Sequence, residues 1–341
     1  MDLYGITKQE LENLLANCGE KTFRAAQIFQ WIYKRGIDDW NLMSNIPKGM
    51  RLTLDDNIRR KTIEHIKTIE SKDCETTKFL CKLNDNMMIE SVLIRSGTRR
   101  TVCVSTQVGC PARCAFCASG RKGLIRNLLP AEIVEQVVTI DKILAAQEER
   151  VSHVVFMGMG EPLENYYAVV KAITILISSD AMNISRRRIT LSTVGVIEKI
   201  RALATEGLNI NLVLSLHAPN QSLREKIIPY AKKNHLKDLL RALDDYSYAT
   251  KRDITYEYTI MHDVNDTPNH AYELAALLKN RQCSINLIPY NNVEGLPFYR
   301  PPTKTIKTFH NILSEKGIIT TCRYTKGDDI AAACGQLAIN D

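Results

Sequence analysis

Strand-like and helix-like segments alternate along most of this chain, and this alternation limits its fold more than any other feature. Short apolar runs, each followed by a segment with helical spacing, read HVVFMGMG, RITLSTVG, INLVLSLHA, ITYEYTIM and SINLIPY. A further strand, ITTCRYT, ends the series, and helices are expected near 130–147, 166–178, 196–206 and 236–250. Continuous apolar runs are typical of parallel strands buried on both faces. We therefore predict an α/β fold in which about six βα units form a partial barrel.

The carboxyl ends of the predicted strands carry the segments with chemically distinctive residues. A cysteine-rich stretch, GCPARCAFCASG, follows the first barrel strand, and the later strands lead into GMGEP, STVG, SLH and PYN. Crossovers between parallel strands are right-handed, and functional groups in barrels of this kind lie at the carboxyl ends of the strands. These segments are therefore expected to meet in one site.

The first hundred residues have other periodicities. We predict a small helical domain over residues 1–61, a β-meander extension over 62–100 and the barrel over 101–341. In the first region Thr7 and Glu10 have the spacing of a capping box, and Gly19 and Gly36 are expected helix ends. In the second, the runs TTKFLCKL, MMIESVLI and RTVCVSTQV alternate as strands do.

The helical region is also basic. Residues 21–62 hold nine Lys or Arg against four Asp or Glu, with Trp31, Tyr33 and Trp40 among them. One interpretation is a solvated basic face of a helical domain. The other is a module that docks RNA, with phosphate contacts from cations and stacking from aromatic side chains.

The N-terminal sequence, the hydropathy and the net charge indicate where the protein acts and what it can bind. The start, MDLYGITKQELENLL, has no basic or apolar stretch typical of a signal peptide, and no apolar run reaches the ~18 residues that span a bilayer. We therefore expect a cytoplasmic protein with no membrane partner, in which the ten cysteines are reduced. The net charge of +7 is compatible with a polyanionic partner.

Three of these cysteines, Cys110, Cys114 and Cys117, lie within eight residues. A structural zinc site takes four ligands, commonly as two separated pairs. Three thiolates instead suit an iron–sulfur cluster with one iron left open to a ligand. The alternative is that they are buried or zinc-binding thiols.

The C-x3-C-x2-C spacing, with Phe116 between the last two cysteines, resembles the radical S-adenosylmethionine (SAM) superfamily. This resemblance implies a [4Fe–4S] cluster on the three cysteines, whose open iron chelates SAM and whose electron cleaves it to methionine and a 5′-deoxyadenosyl radical. MGMGEPL resembles the glycine-rich SAM-binding turn of that superfamily. There Gly158 and Gly160 would let the backbone approach a ligand closely, and Glu161 would meet an ammonium group.

A closer resemblance covers nearly the whole chain. The segments GEKTFRAAQIFQWIYKRG, CVSTQVGC, FMGMGEPL, LSTVG, SLHAP, INLIPYN and AAACGQL are similar in order to those of the rRNA/tRNA adenine-C2 methyltransferases. The resemblance implies methylation of adenine C2 in 23S rRNA and in tRNA beside the anticodon, with two SAM molecules per turnover. It also implies an electron donor such as flavodoxin or ferredoxin, and we expect a monomer. The near alternative is methylation of adenine C8 in 23S rRNA, as in the related resistance enzymes.

The same resemblance implies roles for individual residues. Cys334 would carry the methyl group, Cys103 would attack the sulfur of Cys334 to release the product as a transient disulfide forms, and Glu90 would accept a proton. A glutamate within an apolar strand is costly unless it is partnered or functional; the alternative for Glu90 is an exposed residue on a polar strand face. For each cysteine the alternative is a structural role in the core. Contacts to SAM would come from Gly160, Glu161, Ser192, Ser215, Leu216, His217 and Asn291.

Two arginine clusters remain. ISRRRIT contains Arg186, Arg187 and Arg188, and RSGTRR contains Arg95, Arg99 and Arg100. They are expected to be either solvated turns or phosphate contacts near the barrel mouth. Two rival classes also stay open, namely an iron–sulfur RNA-binding sensor without catalysis and a zinc-binding structural protein.

Overall fold

The structure is a computed structural model that describes residues 1–323 and 326–338. The strands of this described part, in chain order, are β1 (Ile63–Glu70), β2 (Thr76–Leu83), β3 (Met88–Ser96), β4 (Arg99–Cys103), β5 (Gln107–Gly109), β6 (Leu124–Asn127), β7 (His153–Phe156), β8 (Ile189–Thr193), β9 (Asn211–Ser215), β10 (Ile254–Ile260), β11 (Cys283–Pro289) and β12 (Ile319–Cys322). The α-helices are α1 (Lys8–Asn17), α2 (Arg24–Phe29), α3 (Lys48–Asn57), α4 (Pro130–Ala145), α5 (Tyr166–Ile177), α6 (Ile197–Thr205), α7 (Gln221–Ile227), α8 (Leu236–Thr250), α9 (Pro268–Leu278) and α10 (Thr303–Glu315).

One sheet organises the molecule. Its strand order is β1-β2-β3-β4-β7-β8-β9-β10-β11-β12, and the strands from β4 onward are all parallel. A helical segment follows each of the first six parallel strands, and β12 closes the series. Within the described residues β1 pairs with β2 alone and β12 with β11 alone, so these edges do not meet. The predicted partial barrel of six βα units is confirmed.

The meander extends the same sheet. Strands β1 to β4 pair antiparallel in succession, so β4 joins the meander to the parallel part. Sequence analysis placed the later meander strands but missed β1, of which one residue is buried. It also read the stretch from Arg100 to Val108 as a single strand. The structure divides this stretch into β4 and β5, and β5 pairs with β6 in a separate ribbon.

The N-terminal helices have the predicted ends. Thr7 accepts a hydrogen bond from the backbone of Glu10, whose side chain accepts one from the backbone of Thr7, which completes the capping box. Trp31, Tyr33 and Trp40 are 8%, 8% and 2% exposed and belong to the hydrophobic core. Their faces are therefore occupied by protein, and the prediction that they stack on RNA bases is wrong. Phe23 is 53% exposed instead, with the Arg24 guanidinium 5.0 Å from its ring centroid.

Polar contacts fix the N-terminal helices to the barrel. Lys142 on α4 pairs with Asp38 at 2.8 Å, and Lys171 on α5 pairs with Glu10 at 2.6 Å. The buried carboxylate of Glu135 on α4 accepts hydrogen bonds from the backbone and hydroxyl of Thr62 at 2.7 and 2.6 Å. These contacts attach the basic region to the outer helices that cover the first parallel strands. No helix in the described part of the chain has the length and apolar character to cross a membrane.

Candidate active site at the carboxyl ends of the parallel strands

The cysteine loop is held on three sides. Gly109 has φ +75°, and a Cβ there would collide with the carbonyl of Gly123, so only glycine lets β5 and β6 approach this closely. Ala115 donates to the carbonyl of Ile227 at 2.9 Å, and Ala118 donates to that of Gly335 at 2.8 Å. The ribbon, α7 and the C-terminal segment thus all position the loop.

The three loop thiols have the setting of a polynuclear metal site. Cys110 is buried, whereas Cys114 and Cys117 are half-buried, and burial raises the pKa of each thiol. Metal binding is what would keep such thiols deprotonated. A single zinc ion would bring its sulfur ligands within about 3.8 Å of one another, given a Zn–S distance of about 2.3 Å. In the described residues the group whose donor atoms all lie within 4.8 Å is His262, Asp263 and Asp266, without these cysteines. The three sulfur atoms are therefore not all within 4.8 Å of one another, which differs from the arrangement around a single zinc ion.

The glycine-rich turn after β7 packs on the chain itself. A Cβ on Gly158 would lie 2.7 Å from the carbonyl oxygen of Val104. Gly160 has φ +110°, and a Cβ there would lie 2.7 Å from Cβ of Gln107. These glycines therefore let the turn pack closely against the segment of the chain that leads into the cysteine loop.

Glu161 holds this turn against β8. Its carboxylate is 2% exposed and accepts hydrogen bonds from the Leu163 backbone at 3.0 Å, the Thr193 hydroxyl at 2.7 Å and the Val194 backbone at 2.8 Å. Burial raises its pKa to about 7, against the effect of these donors. Both oxygens thus have partners within the protein, which differs from the predicted contact to a ligand ammonium group.

A row of polar side chains crosses the neighbouring strands. The hydroxyl oxygens of Ser192 and Ser215 lie 3.0 Å apart, and Ser192 donates to Glu257 at 3.4 Å. Glu257 is 4% exposed, and burial raises its pKa. Sequence analysis predicted the two serines but missed Glu257, although a glutamate inside ITYEYTI gives the same signal that singled out Glu90.

His217 and Leu216 follow β9. The backbone of Thr259 donates to Nδ1 of His217 at 2.9 Å, so the proton of the neutral ring resides on Nε2. Burial lowers the pKa of this histidine to about 3. Its ring packs edge to face on Phe116 of the cysteine loop, with centroids 4.9 Å apart. Leu216 is fully buried, and its backbone N–H donates to the carbonyl of Glu257 at 3.0 Å, so its predicted contact to SAM stays a prediction.

The C-terminal segment places Cys334 near the cysteine loop and the carboxyl ends of the parallel strands. Asn291, after β11, donates to the carbonyl of Cys334 at 3.2 Å, and the Ser119 hydroxyl donates to the carbonyl of Leu337 at 2.5 Å. Cys103 packs in an apolar cluster with Leu337. The segment therefore covers the cysteine loop and the end of β4.

Cys103 and Cys334 are electrostatic neighbours. Although Cys334 reaches solvent, the protein around its sulfur raises the thiol pKa, and the charges of Glu257, Cys103 and Cys117 add to this effect. Burial also raises the pKa of Cys103, to about 12. These surroundings disfavour the thiolate form of both cysteines.

Glu90 lies on β3, beneath the C-terminal segment. Its side chain is buried, so the alternative of an exposed residue is wrong. The Lys78 ammonium lies 3.0 Å from one carboxylate oxygen, and the backbone of Ala338 donates to the other at 3.0 Å. Burial raises the pKa of Glu90, against the effect of Lys78.

The two arginine clusters lie at the other end of the barrel. Arg186, Arg187 and Arg188 directly precede β8, and Arg99 and Arg100 begin β4 after Arg95 at the end of antiparallel β3. They thus flank the amino ends of the parallel strands, and their predicted place near the barrel mouth is wrong. Arg100 instead pairs with Glu149, and Arg186 donates to the carbonyl of Gly207.

A partial barrel with three cysteines in the loop after its first parallel strand has the architecture of a radical SAM enzyme. Residues 104–275 match the model of the radical SAM superfamily, and residues 1–59 match that of the ribosomal RNA large subunit methyltransferase N-terminal domain. A radical SAM methyltransferase from Sphaerobacter thermophilus is 41% identical, with a TM-score of 0.96 over 99% of each chain.

Curated relatives give the particular family. The chain is 55% identical to probable dual-specificity RNA methyltransferase RlmN 2 of Protochlamydia amoebophila, over 100% of this chain and 95% of that protein. It is 44% identical to probable dual-specificity RNA methyltransferase RlmN of Symbiobacterium thermophilum, over 98% of this chain and 90% of that protein. The chain belongs to the RlmN family of radical SAM methyltransferases. This membership confirms the predicted family, and it implies a [4Fe–4S] cluster and SAM as cofactors.

Proposed function

We propose that this protein methylates C2 of adenine in 23S rRNA and in tRNA beside the anticodon. The observation that carries the proposal is that the segment with Cys334 packs on both Cys103 and the cysteine loop: Cys103 shares an apolar cluster with Ala332 and Leu337, and Ala118 donates to the carbonyl of Gly335. A sensor that only binds RNA needs no such pair of thiols, and a zinc-binding structural protein needs no partial barrel. The family match favours C2 over C8.

The residues at the barrel mouth suit the two cofactors. Cys110, Cys114 and Cys117 would hold the cluster, and Ser192, Ser215, His217 and Asn291 offer hydrogen bonds to SAM nearby. When bound, these cofactors supply a methyl cation equivalent, an electron and a hydrogen-abstracting radical. A radical route is required because adenine C2 lies between two ring nitrogens, is electron-poor and has no lone pair with which to attack a sulfonium.

Cys334 would carry the methyl group. Its thiolate takes a methyl group by ordinary displacement, and a sulfonium cation bound nearby favours that thiolate over the thiol. The S-methyl group then loses one hydrogen atom, and the methylene radical on sulfur adds to adenine C2. RNA and protein are joined through one carbon at this stage.

Cys103 and Glu90 would complete the reaction. The adduct radical would return one electron to the oxidised cluster, and loss of the C2 proton, with Glu90 as the proposed acceptor, restores the aromatic ring. The Cys103 thiolate then attacks the sulfur of Cys334, which forms a disulfide and breaks the carbon–sulfur bond. The electron pair of that bond stays on carbon, which takes a proton and becomes the methyl group. Reduction of the disulfide resets the protein.

Two further proposals concern the electron donor and the oligomeric state. The electron is proposed to come from a small protein such as flavodoxin or ferredoxin, because one-electron cleavage of SAM needs an outside reductant. The protein is proposed to act on RNA as a monomer.

Anaerobic turnover tests the proposal. Reconstituted protein is incubated with reductant, SAM and either a 23S rRNA fragment or tRNA, and the digested nucleosides are compared with 2-methyladenosine and 8-methyladenosine standards. We expect 2-methyladenosine from both RNAs, and none from variants in which Cys110, Cys114 or Cys117 is replaced by Ala. 8-Methyladenosine, or no methylated adenosine from an iron-loaded protein, would overturn the assignment.

A further inference from the structure

A fully buried arginine lies beside the cysteine loop, and sequence analysis did not find it. Arg224 is on α7, and its side chain is 0% exposed. Arginine is almost never fully buried unless it is paired. A polar helix as short as QSLREKI gives no sequence signal for such a residue.

Three carbonyl groups hold the guanidinium in place. Nε donates to the carbonyl of Leu216 at 3.2 Å, and one terminal nitrogen donates to those of Val194 and Ser215 at 2.6 and 3.2 Å. Val194 follows β8, whereas Ser215 ends β9. The cation therefore joins the carboxyl ends of two parallel strands at the level of the proposed site.

The other terminal nitrogen, Nη1, has no hydrogen-bond partner in the described part of the chain. A buried donor left without a partner costs about 1–3 kcal/mol, and more when it is charged. Such a group calls for a bound partner. Water, an ion or a cofactor can provide one, and the surroundings of Arg224 distinguish these.

The guanidinium of Arg224 lies near the cysteine loop and near acidic groups. α7 contacts the cysteine loop through the hydrogen bond from Ala115 to Ile227, and Ile227 packs in one apolar cluster with Cys110. The charges that act on Arg224 come from Cys114 and Glu161. The Glu161 carboxylate already accepts from three other donors. Most acceptor positions of Glu161 are thus occupied, and we take the sulfur side of the loop as the acceptor for Nη1.

We propose that Arg224 is a positioning residue that donates a hydrogen bond from Nη1 to sulfur of the bound cluster on the Cys114 side, and that it raises the reduction potential of the cluster. This inference rests on the proposed function, because it requires the cluster. Hydrogen bonds to sulfur and net charge set the potentials of iron–sulfur clusters. Reduction adds negative charge, so a fixed cation beside the cluster stabilises the reduced form.

The test measures potential, not turnover. Arg224→Gln, Arg224→Lys and the wild type are reconstituted anaerobically, and the midpoint potential is determined by EPR-monitored titration without SAM. Lys226→Met is the matched control, because Lys226 is exposed on the same helix. We expect four irons in every protein, a midpoint shifted to more negative potential in Arg224→Gln, a smaller shift in Arg224→Lys and no shift in the control.

A second measurement detects the hydrogen bond in the wild-type protein itself. In reduced wild-type protein that carries arginine labelled with ¹⁵N in the guanidinium group alone, pulsed EPR should show a ¹⁵N coupling to the cluster that is absent from Arg224→Gln, because Nη1 of Arg224 would lie within hydrogen-bond distance of sulfur. Unchanged potential in iron-loaded Arg224→Gln, or absence of the ¹⁵N coupling, overturns the inference. A shift that appears only after SAM is added also overturns it, since Nη1 would then meet the SAM carboxylate. Failure of the wild type to bind iron would instead contradict the proposed function.

Discussion

A single buried ion pair connects the proposed base with the segment that carries Cys334. The Lys78 ammonium lies 3.0 Å from Glu90 and donates to the carbonyl of Ala331 at 3.3 Å. The other oxygen of Glu90 accepts from the backbone of Ala338. The pair thus contacts the C-terminal segment on both sides of Cys334. The ion pair with Lys78 and the hydrogen bond from Ala338 both favour the charged carboxylate, which is the form that accepts a proton.

Replacement of Lys78 by Met should strongly destabilise the protein at neutral pH. Removal of one partner of a buried pair leaves an uncompensated charge and costs about 3–5 kcal/mol. Burial already raises the pKa of Glu90, and loss of the cation should raise it further. The folded state then binds a proton that the unfolded state has released, so stability falls as pH rises above the unfolded value. Urea unfolding followed by circular dichroism at pH 5 and pH 8 measures this effect.

Lys82→Met is the control for that measurement. Lys82 is on the same strand, is half-buried and loses the same charge on substitution. We expect a smaller change that is equal at the two pH values. Equal losses in both variants, or a loss in Lys78→Met that does not depend on pH, would contradict the role given to the pair.

Among the elements, burial decides which could be predicted from the sequence. The parallel strands and their long helices carry apolar faces, so their residue pattern shows them directly. β1 has mostly exposed residues, and α7 is short and polar, so neither has a periodicity to detect. The motif residues of the site were predicted because they stand in distinctive local sequences. Lys78, Arg224 and Glu257 were not, because their importance comes from contacts with elements far away in the chain.

The N-terminal helical element keeps its proposed role in docking RNA, although the aromatic residues predicted to take part are buried. Arg59 and Arg60 are already paired with Asp2 and Asp39. We instead propose that RNA phosphates contact four exposed cations of this element, namely Lys21, Lys34, Arg35 and Lys48.

Replacement of this set by Gln should weaken binding of both RNAs and reduce its salt dependence. Each lost phosphate contact lowers the slope of log K against log salt by about 0.7–0.9. Filter binding at several salt concentrations measures the slope. The control replaces Arg99, Arg186, Arg187 and Arg188, which carry the same charge, are exposed and lie outside the N-terminal helical element. An equal effect of both sets would indicate only a response to net charge.

At the scale of the whole molecule, the C-terminal segment packs near the end of the first parallel strand. Cys103 ends β4, and Cys334 arrives 231 residues later on a segment that contacts β2, β3, the cysteine loop and the end of β11. The sheet supplies fixed positions for the cluster and the first thiol. The C-terminal segment supplies the second thiol and covers the site. This division fits the proposed roles of Cys334 in methyl transfer and of Cys103 in product release.

The most direct test compares Cys103→Ala with Cys334→Ala under anaerobic turnover. In Cys103→Ala the methyl carrier and the cluster ligands remain, so addition to adenine should proceed and only release should fail. A covalent RNA–protein adduct through Cys334 should therefore accumulate, visible as a species of greatly increased mass on a denaturing gel. Cys334→Ala should give neither adduct nor methylated RNA. Normal turnover by Cys103→Ala, or methylation of RNA by Cys334→Ala, would contradict the account.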